Sequence, residues 1–495
     1  AKNISLAVNS QVLSNRGSAT MNAGESLISN NTANLIAAKD LNLTANKDLK
    51  LLGSALQAST GSINVQSTAS DAQLIHVDGG TLYAGKDFDV YGTGDVSLKN
   101  LSFNLIDNVT RLKDINVYSG KNLSWDNKAK PIPKISGKVQ LEAKQGLELS
   151  GTAIHAANGI VTQSDTLNLN SAIKSDQGID LTTHKAMNLA QGTALTATKD
   201  VNLASLQGNI QAQSLKINSS QGRASIIANE NVNLNSVQAT VAASHADRDE
   251  EITDQTVIHA DQGIVIASTE KGSVTVNSAD LSSAKGDLQI LGQNGVTLNS
   301  NIDVVASGDN ARDTLLTNQL KAKSVSIGTK TGHIDIQNTA MESTVDQLHL
   351  NSEAGMLTVN NSMLRSKGNT EIYAKDILTL KNVTANSDQH LALNTQQSLY
   401  LITDYTPTAT VWSPTGKTAL TAKGVLSLTT AGNQLMQNTT LTGGAVLVEA
   451  NHLDIKSGVI LNAIGSDLLK NDAKRNSLNG DLSVQTTGTE GLTID

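Results

Sequence analysis

An apolar residue, a spacer, a small residue, two or three turn residues and then apolar-x-apolar recur along the chain. The pattern reads Leu35-Ile36-Ala37-Ala38-Lys39-Asp40-Leu41-Asn42-Leu43 and again Leu82-Tyr83-Ala84-Gly85-Lys86-Asp87-Phe88-Asp89-Val90. It returns from Leu141 to Leu149, Ile173 to Leu181, Leu195 to Leu203, Ile226 to Leu234, Ile258 to Ile266, Ile372 to Leu380 and Leu420 to Leu428. A second unit, Gly-x-apolar-x-apolar, sits between copies, as in Gly61-Ser62-Ile63-Asn64-Val65 and Gly94-Asp95-Val96-Ser97-Leu98, and again from Gly272 to Val276. Both units alternate with period two, which predicts short strands with one buried face. The junctions are Lys-Asp, Lys-Gly, Asn-Gly or Gln-Gly pairs, and Gly, Asn and Asp tolerate the left-handed backbone of tight corners. No window carries a 3.6-residue period, so helix is expected to be minor.

Copies that step by about one coil predict strands stacked in parallel, about 4.8 Å apart, each paired above and below. The fold class expected is all-β, a right-handed parallel β-helix with loop insertions, with residues 1–495 forming one elongated solenoid. Roughly 20 to 23 coils would make a rod on the order of 100 Å long. The closing pairs Leu41 and Leu43, Val201 and Leu203, Val232 and Leu234, and Ile264 and Ile266 should face inward, because residues two apart on a strand share a face.

Composition agrees with this pattern. Aromatics are 2% of the chain, charged residues 17%, and there is no cysteine, so the interior must be stacked Leu, Ile, Val and Ala. The net charge of −8 and the lack of a basic run argue against nucleic acid as a partner. No stretch approaches the ~18–20 apolar residues of a membrane span. Ala1 to Ser5 carry no apolar signal-peptide core, so residue 1 reads as an internal cut of a longer protein. Absence of cysteine fits a cytosolic or an exported chain.

Units such as Leu195-Thr196-Ala197-Thr198-Lys199-Asp200-Val201-Asn202-Leu203 and Ile173-Lys174-Ser175-Asp176-Gln177-Gly178-Ile179-Asp180-Leu181 resemble the filamentous haemagglutinin repeats of two-partner-secreted exoproteins. The resemblance covers most of the chain. It implies a right-handed β-helix, export through an outer-membrane secretion partner, and a place on the bacterial cell surface as an adhesin, haemolysin or CdiA-type contact-dependent growth inhibition effector. In CdiA-type proteins a central stalk segment binds a receptor on the neighbouring cell, and the interrupted repeats here look more like that segment than like a pure spacer. No Asn-Pro-rich secretion domain and no Val-Glu-Asn-Asn toxin boundary accompany them.

The repeat breaks near 103–136, 242–257, 305–319, 403–417 and 465–477. Six of the ten aromatics, Tyr83, Phe88, Tyr91, Phe103, Tyr118 and Trp125, fall in one stretch, and Tyr400, Tyr405 and Trp412 fall in another. Pro131 and Pro133 follow the first cluster, and Pro407 and Pro414 flank the second. Proline cannot donate in a ladder, so these segments are expected to leave the coil as loops. Tyr and Trp are enriched at binding hot spots. The receptor-contact candidates are therefore Tyr400, Tyr405, Trp412, Phe103, Tyr118 and Trp125, with the Pro407–Pro414 segment favoured. The alternative is that Phe88, Tyr91 and Tyr118 fill the core or cover a strand face. The charge runs Ala243 to Glu251 and Ser307 to Asp313 read as solvated loops.

Catalysis on a β-helix needs two carboxyls facing one another across the substrate. The chain holds no Asp-Asp pair, Gly-His-Gly or Arg-Ile-Lys of the polygalacturonase type. Gly416-Lys417-Thr418 lacks the upstream glycine of a phosphate loop, with Val411 at that position. The nine histidines are dispersed; His155 and His259 are expected to point to solvent, and neither metal nor cofactor is expected. The function expected is a non-catalytic, monomeric surface-filament segment binding an outer-membrane protein or surface glycan of a target cell. A passive adhesin spacer and a carbohydrate-active β-helix enzyme are the alternatives.

Overall fold

The computed structural model describes the chain except residues 31, 71–73, 105–111, 128–131, 133, 238–239, 243–254, 301, 308–313, 317, 405–417 and 495. Strands account for 63% of it and helix for 2%, and the parallel strands stack as a β-solenoid of about 18 turns. The chain divides into two compact units, Ala1–Ser225 and Ile226–Asp495.

In the first unit the plain turns carry three short strands, one on each of three faces. The first face stacks Ala19–Ala23, Leu41–Ala45, Ile63–Ser67, Phe88–Gly92, Ile115–Ser119 and Val139–Ala143 in parallel register. On the second face lie Leu27–Ser29, Leu49–Leu52, Leu74–Asp78, Asp95–Lys99, Leu123–Asp126 and Gly146–Ser150. Gln11–Ser14, Asn34–Ala37, Ala55–Ala58 and Thr81–Ala84 begin the third.

Register sorts the chemistry into columns. Leu41, Ile63, Phe88 and Ile115 stand one above another and are at most 1% exposed. One residue along, Asn42 and Asn64 form an outward column in which the Asn64 Nδ2 donates to Asn42 Oδ1 at 2.8 Å. Each buried Leu or Ile contributes about 1.5–3 kcal/mol, and a slip of one residue would exchange every inward side chain for an outward one. All eight closing-pair residues expected inside, from Leu41 to Ile266, are at most 1% exposed.

The second unit repeats the succession. Its first face includes Ile264–Ser268, Leu288–Gly292, Val325–Thr329, Leu348–Ser352, Thr370–Ala374 and Leu391–Thr395. Between its second and third faces the chain turns through one left-handed residue. Ser278, Asn338, Asn361, Asn382 and Asn438 occupy that corner with φ between 46° and 54°. Asparagine suits it because its short amide tolerates this backbone and can bond locally. Here Asn382 Nδ2 donates to Asn361 Oδ1 at 3.0 Å, tying one corner to the next.

Three interruptions of this unit leave from that same corner. Their ends are closed by one recurring hydrogen bond, from the backbone N–H of the returning residue to the hydroxyl of the departing one. Thr256 donates to Ser236 Oγ at 2.8 Å, Asn318 to Ser300 Oγ at 2.6 Å, and Thr418 to Thr403 Oγ1 at 2.6 Å, all buried. The inserted residues of the charge runs, 243–251 and 308–313, and of 405–417 lie outside the described residues. Insertions also explain why there are about 18 turns instead of the 20 to 23 expected. Stacked positions are 19 residues apart between Ile154 and Ile173 and 22 apart between Asn42 and Asn64, but 37 or 42 apart where an insertion intervenes.

Two expected breaks take a different form. Within 103–136, Ile115–Ser119 and Leu123–Asp126 are ordinary coil strands. The break at 465–477 holds a short helix, Asp467–Lys470, capped by the Ser466 side chain. Its Leu469 is buried against Val425 and Ala445.

Candidate functional site

Each first-face strand points its second and fourth residues outward. In Phe88-Asp89-Val90-Tyr91 and Ile115-Asn116-Val117-Tyr118 those positions are Asp89 and Tyr91, then Asn116 and Tyr118, and the two strands pair in register. The tyrosine rings consequently lie face to face, centroids 4.7 Å apart and planes within 10°. Tyr91 is 45% exposed and Tyr118 half-buried. Gln66 precedes the pair in its column and Glu142 follows it; the neighbouring column runs Asn64, Asp89, Asn116, Gln140.

These two columns line a groove of about 360 Å³ across four successive strands. Its only charged described lining residues are Asp89 and Glu142. Burial pushes the Asp89 carboxyl above the ordinary carboxylate range. The Asn116 Nδ2, donating to Asp89 Oδ1 at 2.8 Å, pulls it down, while Asp87 and Asp114 push it up. The groove therefore combines a fixed aromatic surface, carboxamides and net negative charge.

The other sequence-derived candidates are placed differently. Trp125 is 0% exposed, stacked in a core column between Leu98 and Leu149, and presents no surface to a receptor. The reason is local: Leu123-Ser124-Trp125 is an apolar-x-apolar pair with Trp at the inward position. Phe103 is half-buried and sets its ring edge-on against the core ring of Phe88, centroids 6.3 Å apart. Tyr400 points outward on a second-face strand between Thr379 and Leu435 and is half-buried. Tyr405, Trp412, Pro407 and Pro414 lie outside the described residues, as do Pro131 and Pro133. Of the first aromatic cluster, then, Tyr91 and Tyr118 alone form an outward pair, and Tyr91 was missing from the contact candidates. Its signal was its offset, three residues after an inward Phe88.

Trp125→Ala is expected to cost about 3–5 kcal/mol, the range for emptying a large buried aromatic site. Its Nε1 has no partner among the described residues, so Trp125→Phe forfeits no such hydrogen bond and should cost much less. Denaturant melts of both variants check this; equal losses would refute the core assignment.

A second groove, of about 420 Å³, lies on the first face of the second unit. Gly328 leaves a notch there beside Leu291, and Lys330, His349, Asn351 and Glu353 edge it. It carries mixed charge, and no Phe, Tyr or Trp is among its described lining residues. His259 is exposed and faces Asp280 at 3.5 Å, whereas His155 is half-buried with its Nε2 2.9 Å from Asp176 Oδ1. Among the described residues no group of three or more His, Asp or Glu is placed to hold a metal ion, and no helix is long and apolar enough to cross a membrane. Comparison of the chain with protein families, curated proteins and solved structures finds no match.

Proposed function

We propose that the chain is a receptor-binding segment of a secreted bacterial surface filament, resembling the filamentous haemagglutinin and CdiA-type exoproteins, and that it acts by binding. The observation that carries this reading is the stacked Tyr91–Tyr118 pair, outward on a solenoid whose aromatic content is 2%. Large rigid rings concentrate contact energy where few other side chains can. The full-length protein, on this reading, reaches the surface through an outer-membrane secretion partner.

Binding is favoured over hydrolysis by the spacing of the groove carboxylates. Asp89 and Glu142 stand two strands apart and in different columns. Two strand steps already separate their backbones by about 10 Å, at the edge of the ~5–10 Å over which carboxyl pairs cleave glycosides.

The test is attachment of the purified chain to target cells. Truncating Tyr91 and Tyr118 together to alanine should weaken attachment by about tenfold or more, the scale of hot-spot loss, with the thermal melt unchanged. Tyr400→Ala is the paired control. Undiminished attachment by the double variant would remove this face as the contact, and release of shortened sugars from the cells would overturn the non-catalytic reading.

A further inference from the structure

The groove's chemistry narrows its partner. Resting on the binding role above, we propose that the Tyr91–Tyr118 groove takes an extended glycan of neutral or amino sugars, laid along the direction in which the strands stack. Three observations converge on this class.

The first is shape. Lining residues come from four successive first-face strands, around Asn64, Asp89, Asn116 and Gln140, so the groove runs across the strands for roughly 14 Å. The strand spacing of about 4.8 Å is close to the rise of an extended hexose chain, so successive sugars can meet equivalent positions on successive coils. A folded protein loop has no such repeat.

The second is the wall. Two tyrosines held face to face at 4.7 Å support one another's rotamers, so their apolar edges are presented without further ordering on binding. These edges offer apolar packing surface to the C–H groups of sugars, while carboxamides suit their hydroxyls, since each amide offers both donors and an acceptor. The side chains of Gln66, Gln140 and Glu142 line the groove and make no hydrogen bond or ion pair among the described residues, which leaves their polar groups for a ligand.

The third is charge. Asp89 and Glu142 are carboxylates, and no described lining residue is Lys, Arg or His. Uronates, sialates and phosphorylated glycans would meet like charge at close range, whereas an ammonium group on an amino sugar would meet its opposite.

The experiment is calorimetric titration of the full chain with defined oligosaccharides: cello-oligomers, glucosamine oligomers and oligogalacturonate, from two to six units. Affinity should rise with length to about four units and then level off, with oligogalacturonate at least tenfold weaker than the neutral series. Tyr91→Ala and Tyr118→Ala should each weaken binding by about tenfold. Glu142→Gln should weaken the glucosamine series more than the cello series, because it removes the charge and keeps a hydrogen-bonding side chain. Oligogalacturonate binding as tightly as the others, no dependence on length, or tyrosine variants that bind as the parent does would each overturn the proposal. The two readings fail separately. If the tyrosine variants lose cell attachment while no oligosaccharide binds, the glycan class is wrong and the contact face survives. Oligosaccharide binding with unaltered attachment would support the glycan site and remove its role as the receptor contact.

Discussion

Leu350→Asp is expected to unfold the coils around it. Leu350 is 0% exposed and stands in an inward column between Ile327 and Ile372. Losing its apolar contacts costs about 2–5 kcal/mol, and placing a polar group there without a partner adds about 2–7 kcal/mol. The sum rivals the roughly 5–15 kcal/mol of stability of a whole domain. Repeat stacks lose stability locally, so loss should begin at Leu348–Ser352 and its two neighbours. Apolar surroundings would raise the folded-state pKa of the new carboxyl above its unfolded value. The folded variant then binds more protons than the unfolded one, and its deficit shrinks as pH falls. Leu350→Asn has the same size without the charge and should show a deficit independent of pH. Hydrogen exchange across residues 325–374 and melts at pH 4 and pH 7 decide the matter. A variant that melts with the parent, or a deficit that grows on acidification, would contradict the inward register.

Gly332→Ala should be among the most damaging glycine-to-alanine changes at the described glycines. A Cβ at Gly332 would lie 1.5 Å from the backbone oxygen of Asn294, on the coil beneath, and 2.3 Å from its carbonyl carbon. Backbone cannot rotate aside as a flexible side chain can, so the two coils must part and their ladder hydrogen bonds lengthen. Overpacking typically costs 1–3 kcal/mol, and a clash with fixed backbone belongs at or beyond about 3 kcal/mol. Gly17 is the control: an added Cβ there meets nothing nearer than Ser14 Oγ at 3.7 Å. Gly17→Ala should therefore fall within about 1 kcal/mol of the parent, with lower unfolded-state entropy as the favourable contribution. Equal midpoints for the two variants in urea would mean that the coils are not in contact at Gly332.

Much of this fold is legible in the chain because period two and close stacking act through the same residues. In Leu35 to Leu43, Leu35 and Ala37 belong to a third-face strand and Leu41 and Leu43 to the following first-face strand, so the sequence repeat is one corner with its two flanking strands. Neither unit marks a fixed face: Leu141 to Leu149 runs from a first-face strand into a second-face strand, and the Gly-x-apolar-x-apolar unit varies likewise. Gly61 to Val65 feeds the first face and Gly94 to Leu98 the second, because alternation reports burial and says nothing of which face is served.

The candidate site was harder to see for a different reason. Phe88 and Tyr91 are three residues apart on one strand, so alternation alone sends one inward and the other outward. Grouping the aromatics by closeness in sequence hid that difference, and the same grouping placed Trp125 at an interface although its strand directs it into the core. What brings Tyr91 onto Tyr118 is the lateral register between coils 27 residues apart, as the Asp89–Asn116 bond across the same two strands marks. That spacing includes residues 105–111, and nothing in the repeat fixes how much chain a corner absorbs before the next strand resumes its place.

The hydroxyl clasps at the second unit's corners also bear on how force would travel. Thr418 donates its N–H to Thr403 Oγ1 and its own hydroxyl to the Ile402 carbonyl, so coil residues on either side of an insertion are joined directly. A pull transmitted from one strand to the next crosses that junction and the rungs above and below it. The inserted residues are in parallel with this short path, and they lengthen the chain without lengthening the route that bears tension. Contour length and load-bearing length thus become separate quantities in the second unit, and chain can be added at such a corner while the spring constant of the stack stays that of its ladder.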